Sequence, residues 1–297
     1  MRNAFGQDIP TLRTILADSS IEAVVREMFN FTLRHVGGDV EQTTKIVEQT
    51  LHLARTSGSL AAYERDTYQF LTREGITQAF PRSLAQRTKL IGEQIKPYLL
   101  ESSVMDIGCG DGKVGEELAR QGYQVTLADV FQHQHISETR LPFSLTTQAG
   151  VLPFEDWQFD NALLIYVCHH SDDPIKTIQE ARRVTRVGGR IIAMESVYGV
   201  PPDQLIPPQR ETAQRFLGLS PEQQRLTNIF FDHFWNRVFM YSEDPTGKIN
   251  VPFNFNTPEG WKKLFAEQGL QEIRRLYLGI DQPTVPEYHT LHVLRVM

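Results

Sequence analysis

Residues 104 to 115 read Val-Met-Asp-Ile-Gly-Cys-Gly-Asp-Gly-Lys-Val-Gly. A short apolar run ends at Ile107, and glycines recur at 108, 110, 112 and 115. Glycine permits the tight turn and the close approach of a ligand to the main chain that such a loop requires. A helix opening at Lys113 would begin with N–H groups that no carbonyl satisfies. Strand, glycine loop and helix start together suit a nucleotide-like ligand. Asp106 stands just before the loop, and Asp129 ends the next apolar run. A carboxylate at that strand end can hydrogen-bond ribose hydroxyls. Further on, the fourth apolar run closes with groups able to move protons: Tyr166, His169 and His170. Histidine suits this work because it titrates near neutrality.

The glycine spacing reads two ways. Gly110-x-Gly112-x-x-Gly115 fits the dinucleotide fingerprint, which points to an NAD-dependent oxidoreductase. Gly108-x-Gly110-x-Gly112, preceded by Asp106, fits a loop that binds S-adenosylmethionine. Asp106 favours the second reading. A carboxylate there would meet the cationic aminoacyl end of S-adenosylmethionine, directly or through water, and would repel a pyrophosphate. The chain also closes with a strand pair, 271–278 and 289–296, that simple dinucleotide domains lack.

With these residues in place, the sequence resembles the class I S-adenosylmethionine-dependent methyltransferases of the UbiE-like, type 11 group. The motifs stand in order: Asp106-Ile-Gly-Cys-Gly-Asp-Gly112, Asp129, Leu152-Pro-Phe-Glu-Asp-Trp-Gln-Phe-Asp160, Val167-Cys-His-His170 with Asp172-Asp-Pro174, and Arg183-Val-Thr-Arg-Val-Gly-Gly189. With the closing strands they cover about half the chain. The resemblance implies a Rossmann-like α/β fold whose sheet has seven strands, the last antiparallel. It also implies a cofactor, S-adenosyl-L-methionine, held by Asp106, Gly108, Cys109, Gly110, Gly112, Asp129, Val130, Gln148, Ala149 and Tyr166. The sequence departs from the group's pattern at Gln148, where an adenine-binding Asp is usual. A glutamine carbonyl can still accept from the adenine amino group, without charge. A short loop, Phe131-Gln-His-Gln-His135, stands where a helix is usual.

Methyl transfer from a sulfonium is an in-line displacement of an activated group. The protein chiefly aligns the nucleophile and excludes water. An oxygen or nitrogen acceptor also calls for a base. By resemblance the methyl group points to the end of the fourth strand, which makes His169 and His170 the candidate bases. His170 has a structural alternative, a hydrogen bond to the main chain. His133 and His135 read as a solvated loop. His289 and His292 are three apart, so in a strand they point to opposite faces and cannot chelate together. The cysteines, Cys109 and Cys168, form no CxxC, and no metal site is expected.

The elements that must position these groups follow from the pattern around them. Residues up to about Leu100 read as four helices. One is led by Ser20, one is capped by Asp39 with Gln42 as in a capping box, one opens at Ser59, and one opens at Ser83 and is closed by Pro97. From Ser102 to Ser196, strands alternate with helices, which implies a parallel sheet covered on both faces. Arg182, Arg183 and Arg186, near the end of a helix, read as cations placed against its dipole. The alternation stops at Pro201 and resumes at Pro258. The expected organisation is an N-terminal helical extension over 1–90, a cofactor-binding core over 91–200, a lid insertion over 201–256 and a core completion over 257–297.

The insertion carries an aromatic block, Phe230, Phe231, Phe234, Trp235, Phe239 and Tyr241. It either packs the lid or lines an apolar substrate pocket. In the second case Glu195, His233, Trp235, Asn236 and Asn254 would meet a small organic acceptor. The 297 residues carry a formal net charge of −6, which disfavours nucleic acid as a partner. The apolar run from Ala162 to Cys168 is far too short for a membrane span, and Met1 to Pro10 shows no secretory pattern. The expectation is a cytoplasmic methyltransferase acting on a small, partly apolar metabolite, with a homodimer possible. A non-catalytic scaffold that keeps the fold is the other alternative beside the oxidoreductase.

Overall fold

The structure is a computed structural model that describes residues 8–100, 102–147, 150–201, 211–244, 248–280 and 287–297. The expected cofactor residues Gln148 and Ala149, and the opening residues 1–7, lie outside the described residues. In chain order the elements are α1 (Ile9–Ala17), α2 (Ser19–His35), α3 (Val40–Thr56), α4 (Leu60–Arg73), α5 (Ile76–Ile95), β1 (Ser103–Ile107), α6 (Lys113–Arg120), β2 (Gln124–Asp129), α7 (Ile136–Thr139), β3 (Phe143–Leu145), β4 (Phe159–Ile165), α8 (Pro174–Val184), β5 (Thr185–Ser196), α9 (Glu211–Leu217), α10 (Pro221–His233), α11 (Pro258–Glu267), β6 (Leu270–Gly279) and β7 (His289–Val296). They form two compact units. A helical unit takes residues 1–84, 196–257 and 278–289, and a sheet unit takes 85–195, 258–277 and 290–297. No helix among the described residues is long and apolar enough to cross a membrane.

The sheet unit has a Rossmann-like sheet of seven strands in the order β3-β2-β1-β4-β5-β7-β6. β1 pairs in parallel with β2 and with β4, β2 with β3, and β4 with β5. The chain thus runs outward from β1 to β3 and then returns to lay β4 on the other side of β1. In such sheets ligands bind outside the carboxyl ends of the strands at that reversal. The glycine loop after β1 and the turn after β4 both lie there. Asn161, fully buried in β4, fixes the entry to β1. It accepts from Leu100 N at 2.8 Å and donates to Leu100 O and Ser103 O at 3.0 Å each. Arg183 ties two of the sequence motifs together. Its guanidinium donates to Phe154 O at 2.8 Å and Leu152 O at 3.1 Å, while Glu180 accepts from Leu152 N at 2.6 Å. Arg186 pairs with Asp160. These two arginines are spent on internal contacts.

In the helical unit the caps follow the sequence. Asp39 Oδ1 accepts from Gln42 N at 2.8 Å, and Ser59 Oγ accepts from Ala62 N at 3.2 Å. The capping box at Asp39 is half formed, because the Gln42 amide turns instead to Glu74 O at 2.8 Å. A helix that the sequence reading lacks, α1, is capped by Asp8. Another, α5, opens at Ile76 rather than Ser83 and runs through Pro81. Pro81 is the sixth residue of α5, past the first turn, so the helix forgoes one main-chain hydrogen bond there. The short helix α7 follows the Phe131–His135 loop.

The aromatic block packs against the N-terminal helices within this unit. Phe29 of α2 meets Phe230, Phe231 and Phe234 edge-on, with ring centroids 5.8, 5.1 and 4.6 Å away. Edge-to-face contact sets the positive rim of one ring on the negative face of another. These rings are core, as their near-zero exposure shows. Phe29→Ala removes the side chain that all three share. It is expected to cost about 3–5 kcal/mol in urea denaturation. A loss under about 1 kcal/mol would mean that the block does not depend on Phe29.

Candidate cofactor and catalytic site

The loop after β1 is shaped by backbone that only glycine adopts without strain. Gly108, Gly110 and Gly112 have φ of 70°, 55° and 76°. Close packing adds a second demand. A Cβ on Gly108 would lie 2.7 Å from Val167 Cγ2. One on Gly115 would collide with Leu127 and come within 3.3 Å of Asp106 Oδ2. The glycines therefore let α6 close down on β1 and β2.

Asp106 is the chemically unusual member of the loop. It is 2% exposed, and its Oδ2 has no hydrogen-bond partner among the described residues. Burial, with the charges of Asp129 and Asp111 nearby, pushes its carboxyl up to about 7. A buried acceptor left unpaired is costly, and a cationic donor would relieve that cost. Asp129 is braced into the loop. Its Oδ2 accepts from Gly110 N at 2.8 Å, and its Oδ1 accepts from Val130 N at 2.7 Å and Phe131 N at 3.4 Å. Burial raises the Asp129 carboxyl against these amide bonds. Val130 itself is 79% exposed. The N–H groups of Gly108 and Cys109 both donate to Ala128 O. Burial, helped by Asp106 and Asp129, pushes the Cys109 thiol well up, which keeps it protonated and unreactive.

The turn after β4 carries the second set of groups. Tyr166 sits at φ 61°, a left-handed backbone that a bulky residue rarely adopts. It is held there by its N–H to Met194 O at 2.7 Å and its hydroxyl to Met194 Sδ at 2.9 Å. The Arg87 guanidinium lies 4.6 Å over its ring. His169 and His170 follow on a single 3-10 turn, their rings 4.2 Å apart. His169 is 2% exposed, with Nδ1 2.5 Å from Glu195 Oε2. His170 donates its main-chain N–H to Val167 O at 3.1 Å.

Glu195 corrects an expectation. As a substrate contact or a solvated strand end it should be open, yet it is fully buried. Its Oε1 accepts from Cys168 N at 2.8 Å, and its Oε2 accepts from His169 N at 3.3 Å as well as from the imidazole. Burial opposes its charge, but His169 and the Cys168 amide outweigh it and hold the carboxyl below the usual range. Glu195 holds the histidine turn instead of facing a substrate. The sequence names both His169 and Glu195 but carries no sign that they pair, because 25 residues separate them.

The remaining candidates for substrate contact belong to the helical unit. His233 Nε2 lies 3.1 Å from Glu64 Oε1. Asn236 Nδ2 donates to Asp232 O and Oδ1 at 2.9 and 2.7 Å. Trp235 is 6% exposed and packs on Phe239 at 4.6 Å, and Asn254 is half-buried. Elsewhere, His135 pairs with Glu138 at 2.8 Å on the exposed loop, and His292 Nδ1 lies 2.6 Å from Glu272. Burial pushes the His292 imidazole down.

The Asp106 environment has a consequence for ligand-free stability. In the folded chain Asp106 keeps its proton to about pH 7, whereas the unfolded chain releases it near 3.8. Between those values the folded state binds more protons, so stability falls as pH rises. Asp106→Asn removes this dependence. Urea denaturation at several pH values is expected to show a flatter stability profile for the variant across that window. Identical profiles would place the Asp106 carboxylate in a well-solvated setting.

Residues 105–193 match a family model described as a methyltransferase domain. The chain is 34% identical over 99 residues to the O-methyltransferase resE of Aspergillus sclerotiorum, covering 30% of this chain and 37% of that protein. It is 27% identical over 117 residues to a ubiquinone biosynthesis O-methyltransferase of Vibrio cholerae, covering 33% of this chain and 48% of that protein. The chain thus spans about half, or less, of the length of these curated relatives. A solved S-adenosylmethionine-dependent methyltransferase from Methanosarcina mazei aligns with a TM-score of 0.49 and 20% identity, over 68% of this chain and 96% of that one. The matched segment, running from the glycine loop to β5, is therefore similar in sequence to a methyltransferase domain.

Proposed function

We propose that this chain transfers the methyl group of S-adenosylmethionine to a small, partly apolar organic metabolite, as a member of the UbiE-like, type 11 group. The observation that carries the proposal is the buried, unpartnered Oδ2 of Asp106 beside the glycine loop. A cationic ammonium group suits that oxygen, and a pyrophosphate does not, which favours this reading over an NAD-dependent oxidoreductase. Asp106 would hold the aminoacyl end. The main chain of Gly108, Cys109, Gly110 and Gly112 would line the ligand. Asp129 would take the ribose hydroxyls, and Val130, Gln148 and Ala149 would border the adenine. Tyr166 would close the site from the turn after β4. When bound, S-adenosylmethionine supplies a methyl group already activated by its sulfonium.

The proton is the task of His169. In this reading its Nδ1 would donate to Glu195, and Nε2 would be the nitrogen that meets the acceptor. In this reading Nε2 takes the proton of an acceptor hydroxyl as the oxygen–methyl bond forms. Glu195 fixes the tautomer and offsets the charge that the imidazole gains. His170 packs against the His169 ring and limits its tilt. The relatives reported above are named O-methyltransferases, which supports an oxygen acceptor.

Isothermal titration with S-adenosylhomocysteine tests the cofactor, and the absence of binding would sink the proposal. Asp129→Ala is expected to weaken that binding by about 1.5–3 kcal/mol, the worth of hydrogen bonds to a charged group. Unchanged affinity in a folded variant would remove Asp129 from the site. Product mass after incubation with a panel of small hydroxylated acceptors separates an enzyme from a cofactor-binding scaffold. With an acceptor in hand, His169→Ala should lower kcat by roughly 10²–10⁴-fold, in the range of a lost general base. Glu195→Gln should lower kcat in the same direction and alter its pH profile. Wild-type kcat in the His169 variant would rule out the base.

A further inference from the structure

The helical unit holds a second buried glutamate–histidine pair, built differently. Glu64 in α4 is 1% exposed. Its Oε1 meets His233 Nε2 at 3.1 Å and the Arg237 guanidinium at 3.4 Å, and its Oε2 lies 3.7 Å from Lys248 Nζ. The histidine contact is the shortest, and the Arg237 guanidinium makes one long hydrogen bond, to Oε2 at 3.5 Å. Charge-assisted bonds close to about 2.7–2.9 Å when the pair is made for its own sake. Among the described residues Arg237 and Lys248 have no other polar partner. A guanidinium offers five N–H donors, and here nearly all of them are unspent. One carboxylate offsets one of the two cations, so positive charge is left over. Both side chains remain reachable, at 23% and 28% exposure.

The surroundings point to a ligand with a flat apolar body. The Tyr63 ring stacks on His233 at 6.0 Å, and the buried Tyr63 Oη and His233 Nδ1 have no hydrogen-bond partner among the described residues. Tyr68, one helical turn beyond Glu64, stacks on Tyr241 at 5.2 Å, and both rings are half-exposed. Arg237 lies in the π-helical turn Phe234–Phe239 that extends α10. Such turns occur frequently at functional sites.

We propose that Arg237 and Lys248, gathered around Glu64, form a binding site for a small aromatic carboxylate. The ligand carboxylate would take the unspent donors, and its ring would lie against the tyrosines. Glu64 keeps the cations apart and in place while the site is empty, and it competes with the ligand for them. This goes beyond the reading of the chain as a methyltransferase by assigning the helical unit a ligand of its own. The binding step itself does not depend on that reading.

Titration calorimetry with benzoate, without S-adenosylmethionine, tests the site, and benzamide serves as its neutral twin. Benzoate is expected to bind at least about tenfold more tightly than benzamide, a gap of about 1.4 kcal/mol. Arg237→Met and Lys248→Met should each weaken benzoate by about tenfold or more. Glu64→Gln keeps an acceptor for His233 but removes the competing charge, so it should tighten benzoate several-fold. A purely structural ion cluster predicts the opposite, a less stable protein with no gain in affinity. Equal affinity for benzoate and benzamide, or no benzoate binding at millimolar concentration, would overturn the site. If Glu64→Gln does not fold by circular dichroism, Lys248→Met decides, because its long, part-exposed contact is dispensable for folding. S-adenosylhomocysteine titrated in parallel separates the two proposals. Its binding without benzoate binding removes only the carboxylate site, and the converse removes only the methyltransferase reading.

Discussion

A carboxylate buried at the end of β1 with one oxygen unpartnered is the constraint around which the sheet unit is arranged. An unpaired buried acceptor costs free energy, and so does a charge kept away from water. The fold reaches this state because β1 is an interior strand, paired on both edges and buried along its last four residues. Its last residues therefore cannot reach solvent. Gly115 lets α6 lie directly over Asp106, where any larger residue would collide with Leu127. Asp129, from the neighbouring strand, binds Gly110 N and so braces the loop that passes Asp106. Two carboxylates and a run of left-handed glycines thus constrain one another. The arrangement is poorer than an apolar strand end would be, and a cationic ligand at Asp106 would relieve it. Strain of this kind is stored where a ligand is expected to release it.

The parts of this arrangement that were legible in the sequence are the local ones. The glycine spacing and the short apolar runs place β1 and β2 to within a residue and β4 to within two, because a buried parallel strand admits little but apolar side chains. Helix starts with Asp39 and Ser59 were equally legible, since a cap is a contact between residues three apart. What escaped were contacts at long sequence separation. Arg183 reads as a cation against a helix dipole, yet its guanidinium gathers the carbonyls of Leu152 and Phe154. Ser83 reads as a helix start, yet α5 opens at Ile76 and passes it. Glu195 reads as an open strand end, yet it is closed over by the turn that carries His169. The left-handed backbone of Tyr166 has no sequence signal, because tyrosine does not favour it.

The aromatic block shows why composition alone misleads about a pocket. Rings that could wall a substrate site are the same rings that fill a helical core, and their pattern in sequence is identical. Phe29 decides for Phe230, Phe231 and Phe234, because one ring from α2 meets all three edge-on. The half-exposed tyrosines Tyr68 and Tyr241 remain on the surface of the unit. Exposure, rather than residue type, separates structural from ligand-facing aromatics.

The two buried glutamate–histidine pairs carry the comparison furthest. Glu195 accepts two main-chain N–H groups and a ring nitrogen, all within 3.3 Å. Every one of these donors belongs to the turn that it holds, so the carboxylate is satisfied locally and anchors the imidazole. Among the described residues Glu64 accepts from no main-chain donor, and its two cations stand at distances beyond a good hydrogen bond. Backbone amides cannot move without refolding the turn, whereas lysine and arginine side chains can swing onto another anion. The first pair is therefore built to be rigid, because main-chain donors hold its carboxylate in place. The second leaves its donors exchangeable, which is what recognition of a ligand carboxylate needs. The difference lies in whether the main chain or side chains supply the donors to the buried carboxylate, and no substitution of residue type is required to produce it.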